Sequence, residues 1–314
     1  MILTDDSLAE SALARGVGLR GVLLESPTAP LGAVLPQPIG SIRSKERLMP
    51  PVVIVEKDGH VLTVTLNRPE KKNCVNSEVM CRLVDAWEQL DADDELRVAI
   101  LTGKGDTFCS GMDLSEIPKL RKGVPENEYM ERVMKDTSIT MKCWLKTYRT
   151  TKPVILAAEG FARAGGTEIL QGTDIRVAGE SAMFGVTEVQ RGLFPMAGSA
   201  VRLRRQIPYA IAAEMLLAGE DLPARRAYEL GLVNHVVPDG QALTKAREIA
   251  DRIASNGPLA VKAILETLRR TETLPEEQAF EIEMALGMTV MTSKDAIEGP
   301  RAFLEKRDPV FKGE

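Results

Sequence analysis

Groups able to do chemistry are most concentrated in the stretch FARAGGTEILQGTDI, residues 161–175. Two glycines, Gly165 and Gly166, stand before a helix-like run, and Glu168 falls on the first turn of that run. Glycine carries a backbone-entropy cost, so a pair here needs a reason. One reason is structural: a tight turn or a close crossing of two chain segments. The other is chemical. The Gly165 amide can point at a developing negative charge, with Glu168 beside it to move a proton. At this level both readings stand open.

Few other residue types compete for the chemistry. The chain has only two histidines, His60 in KDGH and His235 in LVNHVVPDG, both beside turn-forming sequence. A histidine triad or a multi-histidine metal site is therefore disfavoured. Cys74, Cys81, Cys109 and Cys143 form no CxxC pair and no metal-ligand spacing, so they read as free thiols of a reducing cytoplasm. LTGKGDTFCSG lacks the GxGxxG spacing of a dinucleotide site, and no GxxxxGK[ST] loop exists. A formal net charge of -5 argues against nucleic acid as the main partner. No apolar run approaches transmembrane length, so membrane insertion is not expected. Carboxylates and backbone amides are left to carry any reaction.

The elements that must position these groups read as an α/β fold. Residues 1–48 stand apart: PTAPLGAVLPQPIG is rich in proline and glycine and has little periodicity. They read as an extension expected to be dispensable, before a core over residues 49–250 and a helical region over 251–314. VVIVEKDGHVLTVTLN predicts two strands around the Asp58-Gly59 turn. SEVMCRLVDAWEQLDAD predicts a helix capped by Ser77, and VAILTGKG a short buried strand. ENEYMERVMKDTSITMKCWLKTYRT predicts one long amphipathic helix. TKPVILAAEG is a second buried strand, directly before the glycine pair, and TDIRVAGESAMFG supplies a further strand and turn. The later chain is mainly helical, with ALTKAREIADRIASNGPLAVKAILETLRR read as one run and EEQAFEIEMALGMTVMT as the last helix. Strand followed by helix, repeated, implies layered α/β packing.

Four segments in order carry a family resemblance: NRPEKKNCVN (67–76), GDTFCSGMDL (105–114), FARAGGTEILQGTDI and FGVTEVQRGLFP (184–195). Together they resemble the enoyl-CoA hydratase/isomerase, or crotonase, superfamily, from about residue 50 to the end. AGGTEILQGTDIRVAGESA followed by AGSAVRLRRQIPY is similar to a subgroup of actinobacterial enoyl-CoA hydratases, some of which act on bulky acyl groups, including steroid side-chain thioesters. The resemblance implies a crotonase (ClpP-like) fold of repeated ββα units, with a helical C-terminal region packed across subunits of a homotrimer or dimer of trimers.

It also implies roles. The backbone amides of Met112 and Gly165 would form an oxyanion hole for a thioester carbonyl. Glu168 would activate water and Glu188 would protonate the α-carbon. Arg68, Lys71, Lys72 and Lys306 would lie near the phosphates of coenzyme A. The implied reaction is hydration of a trans-2-enoyl-CoA to a 3-hydroxyacyl-CoA, in fatty-acid or steroid side-chain β-oxidation. It needs no metal and no cofactor beyond the coenzyme A of its acyl-CoA substrate, because hydration leaves the net oxidation state unchanged. A delta isomerase, which needs one base rather than a water-activating pair, and a non-catalytic acyl-CoA binder are the alternatives. Two positions depart from the family pattern: Cys74 and Met112 stand where alanine is common. Asp113 reads as orienting its loop, while Arg163 and Arg191 lie near the catalytic segments without an assigned role.

Overall fold

The computed structural model describes residues 50–314, so the extension read at residues 1–48 lies outside it. The main sheet is built from β1 (Val53–Asp58), β2 (Val61–Leu66), β3 (Val98–Gly103), β5 (Val154–Ala158), β7 (Ile175–Gly179) and β10 (His235–Val237), hydrogen-bonded in that order. The β1–β2 hairpin is antiparallel, as the Asp58-Gly59 turn predicts, and the remaining pairs are parallel. All of VILAA in β5 is buried, as expected for a parallel strand covered on both faces.

Alternate side chains feed two cores. On one face Leu62, Val64, Leu101 and Leu156 share a core with Val79, Leu83, Trp87 and Leu90 of α1 (Ser77–Ala92). On the other, Ile100, Ile155 and Val177 meet the alanine stripe Ala242, Ala246, Ala250 and Ala254 of α9 (Ala242–Ala254). The four-residue spacing of these small side chains keeps one helical face narrow enough to lie close on the sheet.

A second, smaller sheet positions the site. It joins β4 (Thr107–Cys109), β6 (Phe161–Arg163), β8 (Met183–Gly185) and β9 (Asp221–Pro223) in that order. β4, β6 and β8 each follow a main-sheet strand after a short bend, giving the repeated ββα pattern. The β5-to-β6 bend requires Gly160, which has φ +56° and whose Cβ would overlap the Asp106 carbonyl. The three candidate segments leave the same ends of these short parallel strands: Ser110–Asp113 after β4, Ala164–Gly165 after β6 and Val186–Glu188 after β8.

Four local expectations are corrected. The cap of α1 is Asn76, whose Oδ1 accepts from Val79 N at 3.0 Å. Ser77 is already helical, and its hydroxyl donates instead to the buried Glu116 at 2.5 Å. The long helix expected over 126–150 is broken into α3 (Glu128–Lys135) and α4 (Ile139–Lys142). Between them Asp136 Oδ1 accepts from both Ser138 N and Ser138 Oγ, a local bond that competes with helix continuation. The run over 242–270 is likewise two helices, α9 and α10 (Pro258–Thr271), divided at Asn256-Gly257 with proline opening the second. After α11 (Glu276–Met291), the segment that contains AFLEK forms a further helix, α12 (Asp295–Glu305).

Candidate active site

The loop after β4 is zipped to the segment before α1. Ser110 N donates to Lys72 O, Val75 N to Gly111 O at 2.8 Å, and Asp113 N to Val75 O at 2.9 Å. The Met112 amide between them donates to no acceptor among the described residues. Gly111 takes φ +93°, and a Cβ on it would stand 3.1 Å from Gly165 N. The two loops therefore converge at the two candidate amides.

The second amide opens α5 (Gly165–Leu170). Ala164 holds φ 50° and ψ -122°, a strained conformation for a residue with a Cβ. Its carbonyl accepts from Thr167 N and Glu168 N, its own amide donates to Gly185 O, and the Gly165 amide has no acceptor among the described residues. Thr167 braces the turn: its hydroxyl donates to Ala162 O at 2.5 Å and accepts from Gly185 N at 3.0 Å. Both readings of the glycine pair hold. Gly166 is steric, since its Cβ would overlap the Cys109 carbonyl. Gly165 combines a free amide with a close approach, a Cβ there falling 2.6 Å from the Trp144 ring.

Glu168 is 4% exposed. Its Oε1 accepts from Ser199 N at 3.1 Å. Burial raises its pKa above the ordinary carboxylate range, while donors at Ser199, Ala197 and Gly198 oppose that rise by holding the charged form. Ser199 begins α6 (Ser199–Gln206), so a helix N-terminus faces the carboxylate. Glu188 begins the 3-10 turn Glu188–Arg191. Its Oε2 is buried without a hydrogen-bond partner. Its pKa is pushed up to about 7, first by burial and then by the Glu168 carboxylate.

A cavity of about 650 Å³ brings Met112, Gly165, Glu168 and Glu188 together with Lys71 and Lys72. Trp144, Met141, Met80, Leu193 and Phe194 supply apolar wall. The break between α3 and α4 matters here, because Thr140, Met141 and Trp144 beyond it reach the cavity. Lys72 is tied to Asp106 at 3.0 Å, whereas Lys71 forms no ion pair among the described residues. Arg68 is not on the cavity wall. It donates to Cys74 O at 2.6 Å and pairs with Asp113 at 3.2 Å, so it braces the first loop. Asp113 completes that brace by accepting from Ser115 Oγ at 2.7 Å. Lys306, at the left-handed cap of α12, is also outside the cavity lining. Cys74 does line it, with its thiol pKa pushed up to about 11, mainly by burial, so it is a poor nucleophile at neutral pH.

Two contributors were not singled out from sequence. One is the Ala197–Ser199 donor loop, whose only signal is a Gly-Ser pair opening a helical run. The other is Trp144, which was absorbed into the expected long helix.

With this geometry established, similarity to known proteins becomes specific. The family model for enoyl-CoA hydratase/isomerase matches residues 56–314. Enoyl-CoA hydratase EchA19 of Mycobacterium tuberculosis is 53% identical over 265 residues, spanning 83% of this chain and 97% of its own. A 2,3-dehydroadipyl-CoA hydratase of Escherichia coli is 33% identical over 261 residues, spanning 83% and 98%. Among solved structures, an enoyl-CoA hydratase from M. tuberculosis aligns with a TM-score of 0.74 at 42% identity, covering 84% of this chain and 100% of that one. One from Bacillus anthracis aligns with a TM-score of 0.76 at 36% identity, covering 84% and 100%.

Proposed function

The chain belongs to the enoyl-CoA hydratase/isomerase family and has its crotonase fold, and from that premise we propose that it is an enoyl-CoA hydratase, adding water across a trans-2-enoyl-CoA to give a 3-hydroxyacyl-CoA. The observation that carries the reading is the carboxylate pair. Glu168 and Glu188 line one cavity in environments that separate their charge states.

Glu168, held by backbone donors, keeps its charge and takes the proton of the attacking water. Glu188, with no donor on its buried oxygen and a like charge beside it, holds its proton to neutral pH and gives it to the α-carbon. Charge that develops on the thioester oxygen is met by the Met112 and Gly165 amides, a pair of donors already fixed by the loops that carry them. Water and proton add to one face of the double bond because both carboxyls flank the same water. The balance needs no metal and no redox cofactor: one O–H bond of water and the π bond of the alkene break, C–O and C–H bonds form, and the proton taken by Glu168 makes good the one given by Glu188.

Lys71 and Lys72 suit the phosphates of coenzyme A at the cavity mouth. Arg68 serves the same substrate indirectly, through the loop that holds Met112. A homotrimer or dimer of trimers is supported by α11, which buries none of its residues and leaves Phe280, Met284 and Met291 more than half exposed. A monomer at all micromolar concentrations in sedimentation would overturn that assembly. The family setting supports a cytoplasmic role in β-oxidation of fatty acids or steroid side chains. No helix among the described residues is long and apolar enough to cross a membrane.

The direct test is absorbance. A trans-2-enoyl-CoA loses its conjugated enoyl band on hydration. A rise in that band from a 3-enoyl-CoA, with no loss from any 2-enoyl-CoA, would replace the hydratase reading with an isomerase.

A further inference from the structure

Several charged groups around the cavity are committed within the fold. Lys72 is tied to Asp106, Arg163 to Asp221, and Asp113 to Arg68. Arg163 also stacks over the Phe161 ring at 4.2 Å. Arg191 differs. It lines the cavity and forms no ion pair or side-chain hydrogen bond among the described residues. It also closes the 3-10 turn that Glu188 opens, and in such a turn side chains three apart eclipse on one face.

That turn is fixed in place. Leu193 N donates to Glu188 O at 3.0 Å and Gly192 N to Val189 O at 3.1 Å, while Gln190 Nε2 reaches Gly219 O at 2.9 Å. The backbone of Arg191 is therefore held three residues from that of Glu188, and both side chains line the cavity. Two opposing charges act on Glu188: Glu168 from α5 and Arg191 from its own turn. Lys71, Lys72, Asp113 and Arg163 also line the cavity, the last three with their partners.

We propose that Arg191 is an electrostatic positioning residue that lowers the proton occupancy of Glu188 and thereby draws in the upper pH limit of hydration. It offsets the repulsion from Glu168 without forming a direct ion pair, leaving the acid free to move its proton to substrate. The cation also holds the window down: with no charge there, Glu188 would stay protonated to a higher pH. This inference rests on the hydratase reading, because it assigns a consequence to the acid role of Glu188.

The test uses the full chain with Arg191→Gln, Arg191→Glu and Arg191→Lys. Infrared difference spectra between pH 5 and pH 9 follow the protonated carboxyl band that Glu188→Gln removes, without any substrate. The band midpoint should rise by about half a pH unit in Arg191→Gln, the scale of one partly screened charge at short range, rise further in Arg191→Glu, and stay near wild type in Arg191→Lys. The basic limb of kcat/KM for a trans-2-enoyl-CoA should move in step. An unchanged midpoint in Arg191→Gln and Arg191→Glu overturns the inference, as does a rise in KM with both midpoints fixed, which would make Arg191 a substrate contact only. Infrared midpoints that move while the wild type hydrates no enoyl-CoA would sink the hydratase reading and leave the electrostatic coupling standing. Arg191→Lys keeps the charge, so a midpoint that moves as far there as in Arg191→Gln would also overturn the inference, since the effect would then follow the side chain's shape and not its charge.

Discussion

Glu168 and Glu188 are the same residue type on the wall of one cavity, yet their seats differ. Glu168 stands on the first turn of α5, nearly inaccessible, with backbone donors of the 197–199 loop around it. Glu188 opens a short 3-10 turn at the cavity edge, with one oxygen sealed from water and given no donor. Burial raises both carboxyls, but Glu168 receives the amides of Ser199, Ala197 and Gly198, which favour its charged form, whereas Glu188 has only its own backbone amide to do so and the Glu168 charge against it. Division of labour in such a pair therefore comes from the distribution of N–H donors, since depth alone would push both toward the same state.

The largest expected effect removes either half of the comparison. Glu168→Gln and Glu188→Gln should each lower kcat by roughly 10²-fold or more, the scale of lost general acid–base catalysis. KM should change less, because most ground-state binding comes from the coenzyme A portion. Near-wild-type hydration by either variant, in steady-state assays of correctly folded protein, would break the pairing.

Next comes the donor pair that both carboxyls serve. Gly165→Ala should lower kcat by about 10²-fold, since the new methyl meets the Trp144 ring and displaces the amide from its aim. If kcat holds and only thermal stability falls, the glycine is a packing residue and the Gly165 amide is not part of the machinery.

A smaller effect, and the sharper one for the comparison, is pH dependence. Hydration needs Glu168 ionised and Glu188 protonated. The rate should fall on the acid side as Glu168 takes a proton, above the ordinary carboxylate range. It should fall on the basic side as Glu188 loses one, near pH 7. These are midpoints of a coupled pair and belong to both groups. Dehydration of the 3-hydroxyacyl-CoA needs the opposite occupancies. A flat kcat/KM profile from pH 5 to pH 9 would show that the two seats do not separate the charge states.

The sequence made some of this legible for physical reasons and hid the rest for others. The short apolar run VILAA, bounded by Pro153 and Gly160, reads as a buried strand, and the Asp58-Gly59 turn fixes its hairpin. The glycine pair and Glu168 are legible because backbone conformation restricts residue choice there. Ser77 was misread as a cap because Asn76, one residue earlier, carries an equally good acceptor. The break at Asp136–Ser138 was hidden because apolar periodicity on both sides continues through it. Arg68 misled for another reason. Its charge suggested a phosphate contact, but a carbonyl and a carboxylate of its own fold are within reach and are taken. The environment of Glu188 was legible least, since an unpartnered oxygen arises from elements far apart in the chain.

The smallest expected effect is on stability, and it tests the same asymmetry without catalysis. Glu188 titrates near pH 7 in the folded protein but at about 4.3 in an unfolded chain. Its folded form thus binds a proton more tightly, and the stability from that proton is complete below the unfolded value. It is lost as pH rises through 7, where the folded state must carry a charge beside Glu168 with no donor on one oxygen. Glutamine removes that charge while keeping the shape. Glu188→Gln should therefore melt higher than wild type at pH 8 by about 2 °C, corresponding to about 1 kcal/mol once the water reaching this half-buried group is allowed for. At pH 4 the two proteins should melt together. Glu168→Gln should gain less at pH 8, because the amides at 197–199 already offset much of the cost of its charge. Melting curves at fixed protein concentration across this pH range provide the check. An equal gain at both pH values, or a larger gain for Glu168→Gln, would mean that the donors do not separate the two seats.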